Sequence, residues 1–382
     1  MYHKILDKVG QLNTPCYCYD LRLLRSTLNA INHEIEGFPF VVHYAVKANA
    51  NPVILKEIKQ AGLGVDLVSG NEIKTAVAAG FGPELMAFAG VGKSDWEIEA
   101  GLESGIYCFN VESEQELEVI NDIAAQRGMI AGVALRVNPD IDAHTHRYIT
   151  TGTAANKFGI DLPMLDRVVD RAMEMSNIHL RGLHFHIGSQ IMSIQPFELL
   201  CDRINSLLQH YEDKGIIFEM IDAGGGLGVD YEHPEENKIA GFHEFFDVFK
   251  RRLNVRAGQK VHFELGRSIV AQCGALLSRV LFVKESSVKR FVILDAGMTD
   301  LLRPALYGSH HKIVNLTSRE SELVTYDVVG PICESSDVFA HDEQLPVTQR
   351  GDLVAILSAG AYGESMASTY NMRSLPQSVF FE

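Results

Sequence analysis

Short apolar runs alternate with helix-like segments along most of the chain. Eight such runs lie at residues 42–46, 64–68, 85–89, 106–111, 130–137, 178–186, 218–223 and 260–264. Segments typical of helices lie between them, at 51–61, 70–79, 95–104, 113–127 and 164–175. Alternating strand and helix signals indicate a parallel sheet, and eight repeats in roughly 250 residues fit a closed barrel. We therefore predict an α/β fold, with a (β/α)8 TIM-type barrel over residues 20–265.

The pattern changes near residue 266. Runs at 275–283, 291–295, 326–329 and 352–357 are typical of strands and have little helix between them. They predict a mostly β C-terminal domain of residues 266–382, which residues 1–19 join through a strand near 15–19. The long segment 138–159, after the fifth barrel strand, is expected to form a loop over the barrel mouth.

Composition narrows the class of protein. A chain of 382 residues exceeds a usual single core, so two domains are expected. It has no apolar run long enough to span a bilayer, and its first residues lack the regions of a secretory signal, so we expect a cytoplasmic protein. The net charge of −15 argues against nucleic acid or an anionic membrane as a partner.

The six cysteines are scattered and contain no CxxC pair. In a cytosolic chain this spacing favours free thiols over a disulfide framework. Cys16 and Cys18 alternate with Tyr17 and Tyr19, which predicts a strand face rather than a metal site. We expect five of the six to be structural.

Lys47 ends the first apolar run, within Tyr-Ala-Val-Lys-Ala-Asn. A buried parallel strand would place it at the carboxyl end of the barrel, where such folds keep their chemistry. A lysine there can form an imine with a carbonyl cofactor. The alternative is a lysine at a strand end whose ammonium simply reaches water.

Three glycines, Gly224, Gly225 and Gly226, follow the seventh strand. Consecutive glycines let backbone N–H groups approach an anion, and barrel enzymes often bind phosphate after their late strands. A flexible turn is the alternative.

Two other strand ends carry polar groups. His184 and His186 share a strand face, but no third ligand lies near them in sequence, so we predict no metal. His186 could stack on an aromatic cofactor or be an ordinary core histidine, and Ser189 offers a hydroxyl to phosphate. Glu264 could pair with a protonated ring nitrogen, or with Arg267 in a salt bridge.

Three clusters in the β-rich part complete the candidates. Arg303 and Tyr307 lie in one segment, Cys333 lies beside Glu334 after a Gly-Pro turn, and Tyr362 lies between small residues. Each could be an ordinary loop, but together they indicate a site displayed by turns.

These strings resemble the fold-type III pyridoxal-phosphate-dependent decarboxylases nearly from end to end. The resemblance is carried by YAVKAN, NPDIDAHTHRYITTG, NKFGI, HFHIGSQ, GGGLGV, ELGRS, DAGMTDLLRPALY, GPICESSD and GAYGESMASTYN. The DAGM…RPALY and CESSD strings point to the branch that acts on diaminopimelate. Leu265 replaces the family's usual proline after Glu264, and the segment after Tyr370 lacks the more common Arg-Pro-Arg pattern.

The resemblance implies pyridoxal 5'-phosphate as cofactor. Lys47 would hold it as an imine, His186 would stack on its ring and Glu264 would pair with its ring nitrogen. Its phosphate would lie against Ser189, Gly224, Gly225, Gly226, Gly266, Arg267 and Tyr362. Asp66 and Arg136 would shape its surroundings.

The resemblance also implies a homodimer that acts on a small amino acid. Arg267, Arg303 and Tyr307 would bind the substrate's distal end, and Tyr362 would also contact the substrate. Cys333, as proton donor, and Glu334, facing the distal ammonium, would come from the partner chain.

The expected reaction is decarboxylation of meso-2,6-diaminopimelate to L-lysine. A related decarboxylase acting on ornithine, lysine or a carboxylated polyamine is the nearest alternative. A racemase would need a proton-transfer residue on each face of the substrate. A non-catalytic cofactor carrier would not need Cys333, Glu334, Arg303 and Tyr307.

Overall fold

A computed structural model describes residues 12–141 and 157–382. The described residues form two compact units. The barrel unit contains Leu28–Gly228 and Gly241–Gly266. The β-rich unit contains the described residues up to Thr27, together with Val229–Ala240 and Arg267–Glu382.

Seventeen strands and ten α-helices lie in the described ranges. The strands are β1 (Cys16–Asp20), β2 (Phe40–Ala45), β3 (Gly64–Leu67), β4 (Met86–Phe88), β5 (Cys108–Val111), β6 (Ala131–Asn138), β7 (Ile160–Asp161), β8 (Ile178–His184), β9 (Met220–Asp222), β10 (Lys260–Leu265), β11 (Gly274–Glu285), β12 (Arg290–Leu294), β13 (Ile313–Asn315), β14 (Leu323–Val329), β15 (Val338–Pro346), β16 (Leu353–Ile356) and β17 (Gln377–Phe381). The helices are α1 (Leu21–Ile35), α2 (Pro52–Gln60), α3 (Gly70–Ala79), α4 (Asp95–Ser104), α5 (Glu114–Gln126), α6 (Leu162–Glu174), α7 (Gln195–Asp213), α8 (Phe242–Arg252), α9 (Arg267–Val270) and α10 (Arg303–Tyr307).

Eight parallel strands close the barrel. Each strand pairs with the next in the order β2, β3, β4, β5, β6, β8, β9, β10, and β10 pairs with β2. The two-residue β7 adds to β6 after the long connecting segment. The eight-stranded barrel predicted from the apolar runs is confirmed. The predicted mouth loop lies largely at 142–156, outside the described residues.

Local capping explains why helices begin soon after barrel strands. The Ser69 hydroxyl accepts the backbone N–H of Glu72 at the start of α3. Ser113 caps α5 through the N–H of Glu116 in the same way, and Ser94 with Glu97 forms a capping box on α4. These side chains satisfy N–H groups that have no partner within the helix.

Phenylalanines fill the space between the barrel and its outer helices. Phe263 on β10 lies 4.9 Å from Phe249 and 5.1 Å from Phe246, ring centre to ring centre, in edge-to-face geometry. Phe245 packs against both Phe197 and Phe263. Removing one such buried ring typically costs about 3–5 kcal/mol, so this cluster fixes α7 and α8 against β10.

The second unit is a mainly antiparallel sheet with strand order β13-β16-β11-β12-β14-β15. Strand β1 pairs with β11 and β17, so the N-terminal strand joins this sheet as predicted. Strands β13, β15 and β17 were not predicted. β13 is three residues long, and β15 (VFAHDEQLP) is interrupted by four consecutive polar residues, so neither forms a long apolar run.

The described cysteines match the expectation from spacing. All six are free thiols; five are buried, and Cys333 is exposed. None of the helices in residues 12–141 and 157–382 combines the length and hydrophobicity that a bilayer-spanning segment requires.

Candidate active site

Lys47 and Asp66 pair at the carboxyl ends of two neighbouring strands. Lys47 lies in a 3₁₀ turn, Val46–Ala48, directly after β2. Its Nζ lies 3.0 Å from Oδ2 of Asp66 on β3. The lysine side chain is 39% exposed, whereas the carboxylate is fully buried. The amine is therefore oriented by a buried carboxylate, unlike a lysine whose ammonium simply reaches water.

Glu264, on β10, is held by two other strands. Its Oε1 accepts the Asn110 side-chain N–H at 2.9 Å, and its Oε2 lies 3.1 Å from Nε2 of His184. Burial alone would raise the pKa of Glu264, but His184 and Lys47 outweigh it and hold the pKa below its ordinary value. Glu264 is therefore a buried carboxylate at neutral pH.

The pKa values of two neighbouring carboxyls are raised, in contrast to that of Glu264. Burial, and then the charge of Glu264, raises the pKa of Asp66 to about 6. The same two causes raise the pKa of Asp222 well above its ordinary value. Since like charges disfavour one another in a dry site, the cluster concentrates its negative charge on Glu264.

The structure brings together a possible metal-binding set that spacing did not reveal. Ligand atoms of His184, Asp222 and Glu264 lie within 4.8 Å of one another. Asp222 is the weak member of this set, because its raised pKa favours the protonated carboxyl and a metal needs the carboxylate. We interpret the three residues as a network that positions Glu264.

His186 and the glycines lie together after β8 and β9. The Gly225 N–H donates to Nδ1 of His186 at 3.3 Å. Burial, and then the charge of Arg136, lowers the pKa of His186 to about 3, so its ring is neutral. A Cβ on Gly225 would lie 1.8 Å from the backbone oxygen of Glu264, and one on Gly224 2.1 Å from that of Phe185. Only glycine permits this close backbone packing.

Arg136 and Ser189 occupy the same end of the barrel unit. Nη1 of Arg136 lies 2.5 Å from Oε1 of Glu112, and both side chains are buried. The second Glu112 oxygen accepts the Gly159 N–H at 2.8 Å. Ser189 is partly exposed, just after His186. Arg136 therefore lies in an ion pair that ties β6 to the segment before β7.

Two buried arginines of the β-rich unit converge on one phenol. Nη1 of Arg267 donates to the Tyr231 hydroxyl at 2.9 Å, and Nη1 of Arg303 donates to it at 2.7 Å. All three residues are at least nine-tenths buried. The two hydrogen bonds keep the two Nη1 atoms within about 6 Å of each other, and two unit charges about 6 Å apart repel by roughly 3 kcal/mol at an effective dielectric constant of 20. An anion placed between them would relieve that repulsion.

Tyr362 and Tyr307 complete the surroundings of Arg267. The Arg267 guanidinium lies 5.0 Å above the Tyr362 ring. Burial alone would lower the pKa of Arg267, but Tyr231 and Tyr362 outweigh it and raise the pKa. Tyr362 has a φ of 56°, an uncommon backbone conformation for a bulky residue. Tyr307 ends α10, the helix that Arg303 begins.

Cys333 and Glu334 lie on an exposed turn fixed by a buried aspartate. The Asp337 carboxylate accepts the N–H of Met298 at 2.6 Å and that of Ile332 at 2.7 Å. On the exposed side, the Tyr370 hydroxyl donates to Glu334 at 2.6 Å. The turn therefore holds the thiol and the carboxylate in place while leaving both accessible.

Sequence reasoning missed several residues that support the candidate site. Asn110 has a signal, since it is a polar residue inside a buried strand. Asp222 lies within the apolar run 218–223 and Asp337 ends the GPICESSD string, and neither was singled out. Tyr231 has no sequence signal, because its role depends on two arginines 36 and 72 residues away.

The polar residues at the strand ends of the barrel unit form what we call the barrel cluster: Lys47, Asp66, His184, His186, Asp222 and Glu264. This cluster fits a pyridoxal phosphate group. The glycines let the backbone after β9 pack directly against Phe185 and Glu264, beside the neutral His186 ring. Oδ1 of Asp66 and Nδ1 of His184 are buried and have no hydrogen-bond partner among the described residues. Glu264 supplies a lasting negative charge near the Lys47 amine.

Comparison with known proteins gives the family. A family model described as pyridoxal-dependent decarboxylase, pyridoxal binding domain, matches residues 21–271. A diaminopimelate decarboxylase of Bacteroides thetaiotaomicron is 56% identical over 97% of this chain and 96% of its own length. One of Aquifex aeolicus is 42% identical over 97% of this chain and 87% of its own.

Solved structures agree with this result. The crystal structure of diaminopimelate decarboxylase from Helicobacter pylori, complexed with L-lysine, superposes with a TM-score of 0.93 at 38% identity. The match covers 100% of this chain and 94% of that one. The barrel-plus-β fold and the family resemblance predicted from the sequence are confirmed. The chain belongs to the family of pyridoxal-dependent decarboxylases, which includes these diaminopimelate decarboxylases.

Proposed function

We propose that this protein decarboxylates meso-2,6-diaminopimelate to L-lysine with pyridoxal 5'-phosphate as cofactor. The observation that carries the choice of substrate is the pair of buried guanidiniums, Arg267 and Arg303. A substrate with a second carboxylate supplies the anion that they require. The relatives named as diaminopimelate decarboxylases support the same choice.

The barrel residues would hold the cofactor. Lys47 would bind it covalently, His186 would stack on its ring, and Ser189 with Gly224–Gly226, Gly266, Arg267 and Tyr362 would hold its phosphate. When bound, the cofactor supplies an electron sink for the electrons left behind by the departing carboxylate. Glu264 would keep the ring nitrogen protonated, a role that its lowered pKa supports.

Substrate selection would fall to the β-rich unit. Arg267, Arg303 and Tyr307 would bind the distal amino-acid end, with Glu334 facing its ammonium, and Tyr362 would also contact the substrate. Ornithine has only an ammonium at that end, which two guanidiniums would repel. Cys333 would return a proton to the α-carbon; its exposure supports that assignment.

We also propose a homodimer in which Cys333 and Glu334 act on the partner's substrate, and a cytoplasmic location. An exposed turn suits residues that serve a neighbouring chain, and six free thiols are usual in a reducing compartment. We retain 20–265 as the cofactor domain, with 1–19 and 266–382 as the domain that completes the site. Membership of a decarboxylase family favours this function over a racemase or a carrier.

A substrate panel tests the activity. Purified protein with cofactor is offered meso-diaminopimelate, lysine and ornithine separately, and released carbon dioxide is measured. We expect release from diaminopimelate and little from the others. A preference for ornithine or lysine would refute the substrate assignment.

Subunit mixing tests the dimer. Lys47→Ala and Cys333→Ala chains should each be nearly inactive. After subunit exchange, activity should return to at most about a quarter of wild type, because about half of the dimers are heterodimers and one of the two sites in each has both residues. No recovery despite demonstrated exchange would show that each site takes both residues from one chain.

A further inference from the structure

Tyr231 is a buried group to which the proposed reaction gives no role. Its hydroxyl oxygen accepts hydrogen bonds from Arg267 at 2.9 Å and Arg303 at 2.7 Å. The Arg303 guanidinium also lies 5.1 Å above the Tyr231 ring. The His311 ring packs edge-on against that ring at 4.9 Å. One side chain therefore fixes both guanidiniums relative to each other.

The chemistry of these contacts is one-sided. Arginine side chains offer only hydrogen-bond donors, so an atom that bonds to two guanidiniums at once must be an acceptor. The phenol oxygen supplies that acceptor to Nη1 of each guanidinium. Nε of Arg303 is buried and has no hydrogen-bond partner among the described residues.

We propose that Tyr231 is a specificity-determining positioning residue, whose hydroxyl holds Arg267 and Arg303 at the spacing that binds the distal carboxylate of the substrate. The proposal rests on the proposed function, because it assigns that carboxylate to the two arginines. Tyr231 acts through the arginines and need not touch the substrate. Without its hydroxyl, the shared acceptor would no longer offset the repulsion between the guanidiniums, and they would lose their common orientation.

The electrostatics around the phenol agree with this role. Burial raises the pKa of Tyr231, but the charges of Arg267 and Arg303 outweigh it, so the net pKa lies below its ordinary value. The phenol oxygen is thus polarised toward the anion and is a strong acceptor. Burial, and then the charge of Arg303, lowers the pKa of the adjacent His311 to about 3, so that ring adds no third positive charge.

Tyr231→Phe in the holoenzyme tests the proposal. The expected result is a KM for diaminopimelate roughly ten- to a hundredfold higher, the effect of losing an acceptor shared by two charged donors. The kcat should change little. Calorimetry should show a similar loss of affinity for L-lysine, which keeps the distal carboxylate, and little loss for cadaverine, which lacks it.

Tyr326→Phe is the matched control. Tyr326 is also buried in the β-rich unit, and its hydroxyl accepts a backbone N–H, that of Thr348, at 3.3 Å. Loss of this hydroxyl should leave the affinities for L-lysine and for cadaverine unchanged. Absorbance titration gives a second signature: the tyrosine that ionises below the usual pH should disappear in Tyr231→Phe and persist in Tyr326→Phe.

Equal losses for L-lysine and cadaverine, or an unchanged KM, would overturn the proposal. If Tyr231→Phe does not fold, p-aminophenylalanine at position 231 keeps the shape but replaces the acceptor with a donor, and should give the same selective loss. Failure of the proposed function is a separate result. In that case wild type releases no carbon dioxide from diaminopimelate, while the calorimetry still shows whether Tyr231 supports carboxylate binding.

Discussion

The two candidate clusters have opposite charges and are built in opposite ways. In the barrel unit, buried carboxyls stand at strand ends, and the negative charge is concentrated on Glu264. In the β-rich unit, two buried guanidiniums are held by one phenol, and their residues lie outside the strands. The first arrangement suits a positively charged ring and amine; the second suits a carboxylate. We infer that cofactor binding and the choice of substrate are separable at Arg303, which is assigned to the substrate alone, whereas Arg267 is assigned to both.

The largest effect should come from the barrel cluster. Lys47→Ala should lose nearly all turnover, because the proposed covalent link to the cofactor is gone. Borohydride reduction of wild type should fix the cofactor on Lys47, as peptide mass spectrometry would show. Lys56→Ala, at an exposed position of α2, is the control and should remain active. A colourless and fully active Lys47→Ala protein would refute the assignment.

The next largest loss of activity should come from the β-rich cluster, which consists of Tyr231, Arg267 and Arg303. This loss should be limited to binding of the substrate. Arg303→Ala removes a charge partner that is 4% exposed. By analogy with buried charge pairs, the cost is about 2–5 kcal/mol. This is a drop of roughly thirtyfold to several-thousandfold in kcat/KM for diaminopimelate. Cofactor absorbance should stay intact, and Arg319→Ala, an exposed change in the same unit, should match wild type. Normal decarboxylation of diaminopimelate by Arg303→Ala would remove the basis for the proposed substrate.

The barrel could be predicted from the sequence because its pattern is local. Each strand is a short apolar run, and each functional residue stands at or just after the end of one, as Lys47 follows β2. A parallel barrel brings all strand ends to one face, so positions in sequence give positions in space. The network of Asn110 and His184 around Glu264 was not predicted, since hydrogen-bond partners on other strands leave no mark in spacing.

The candidate residues of the β-rich unit were harder to predict because their contacts are distant in sequence. Arg303, Tyr307, Cys333 and Tyr362 were named from their strings and the family resemblance, without a geometric reason. Tyr231 lies in the segment Val229–Ala240, which packs with the β-rich unit although barrel elements flank it in sequence. No periodic pattern in the sequence indicates that this segment belongs to the β-rich unit.

A smaller effect should come from the turn that carries Cys333. Asp337→Asn keeps the shape, but its amide oxygen cannot accept both the Met298 and the Ile332 N–H groups as the carboxylate does. One buried N–H is left unsatisfied, which should lower the free energy of unfolding by about 1–3 kcal/mol. Denaturant titration would measure this loss. Asp342→Asn, at an exposed position of the same unit, should change stability by less than about 0.5 kcal/mol. Equal stability of the two variants would show that Asp337 does not anchor the turn.

The smallest effect should come from the exposed side of the same turn. Tyr370 donates to Glu334 at 2.6 Å, but both side chains are exposed, so water can replace the lost hydrogen bond. Tyr370→Phe should therefore raise the KM for diaminopimelate by at most about threefold, with kcat and thermal stability unchanged. The contrast with Asp337→Asn matters, because both residues hold one turn and differ mainly in burial. A much larger rise in KM would show that the Tyr370 hydroxyl does more than orient Glu334, and would add it to the residues that select the substrate.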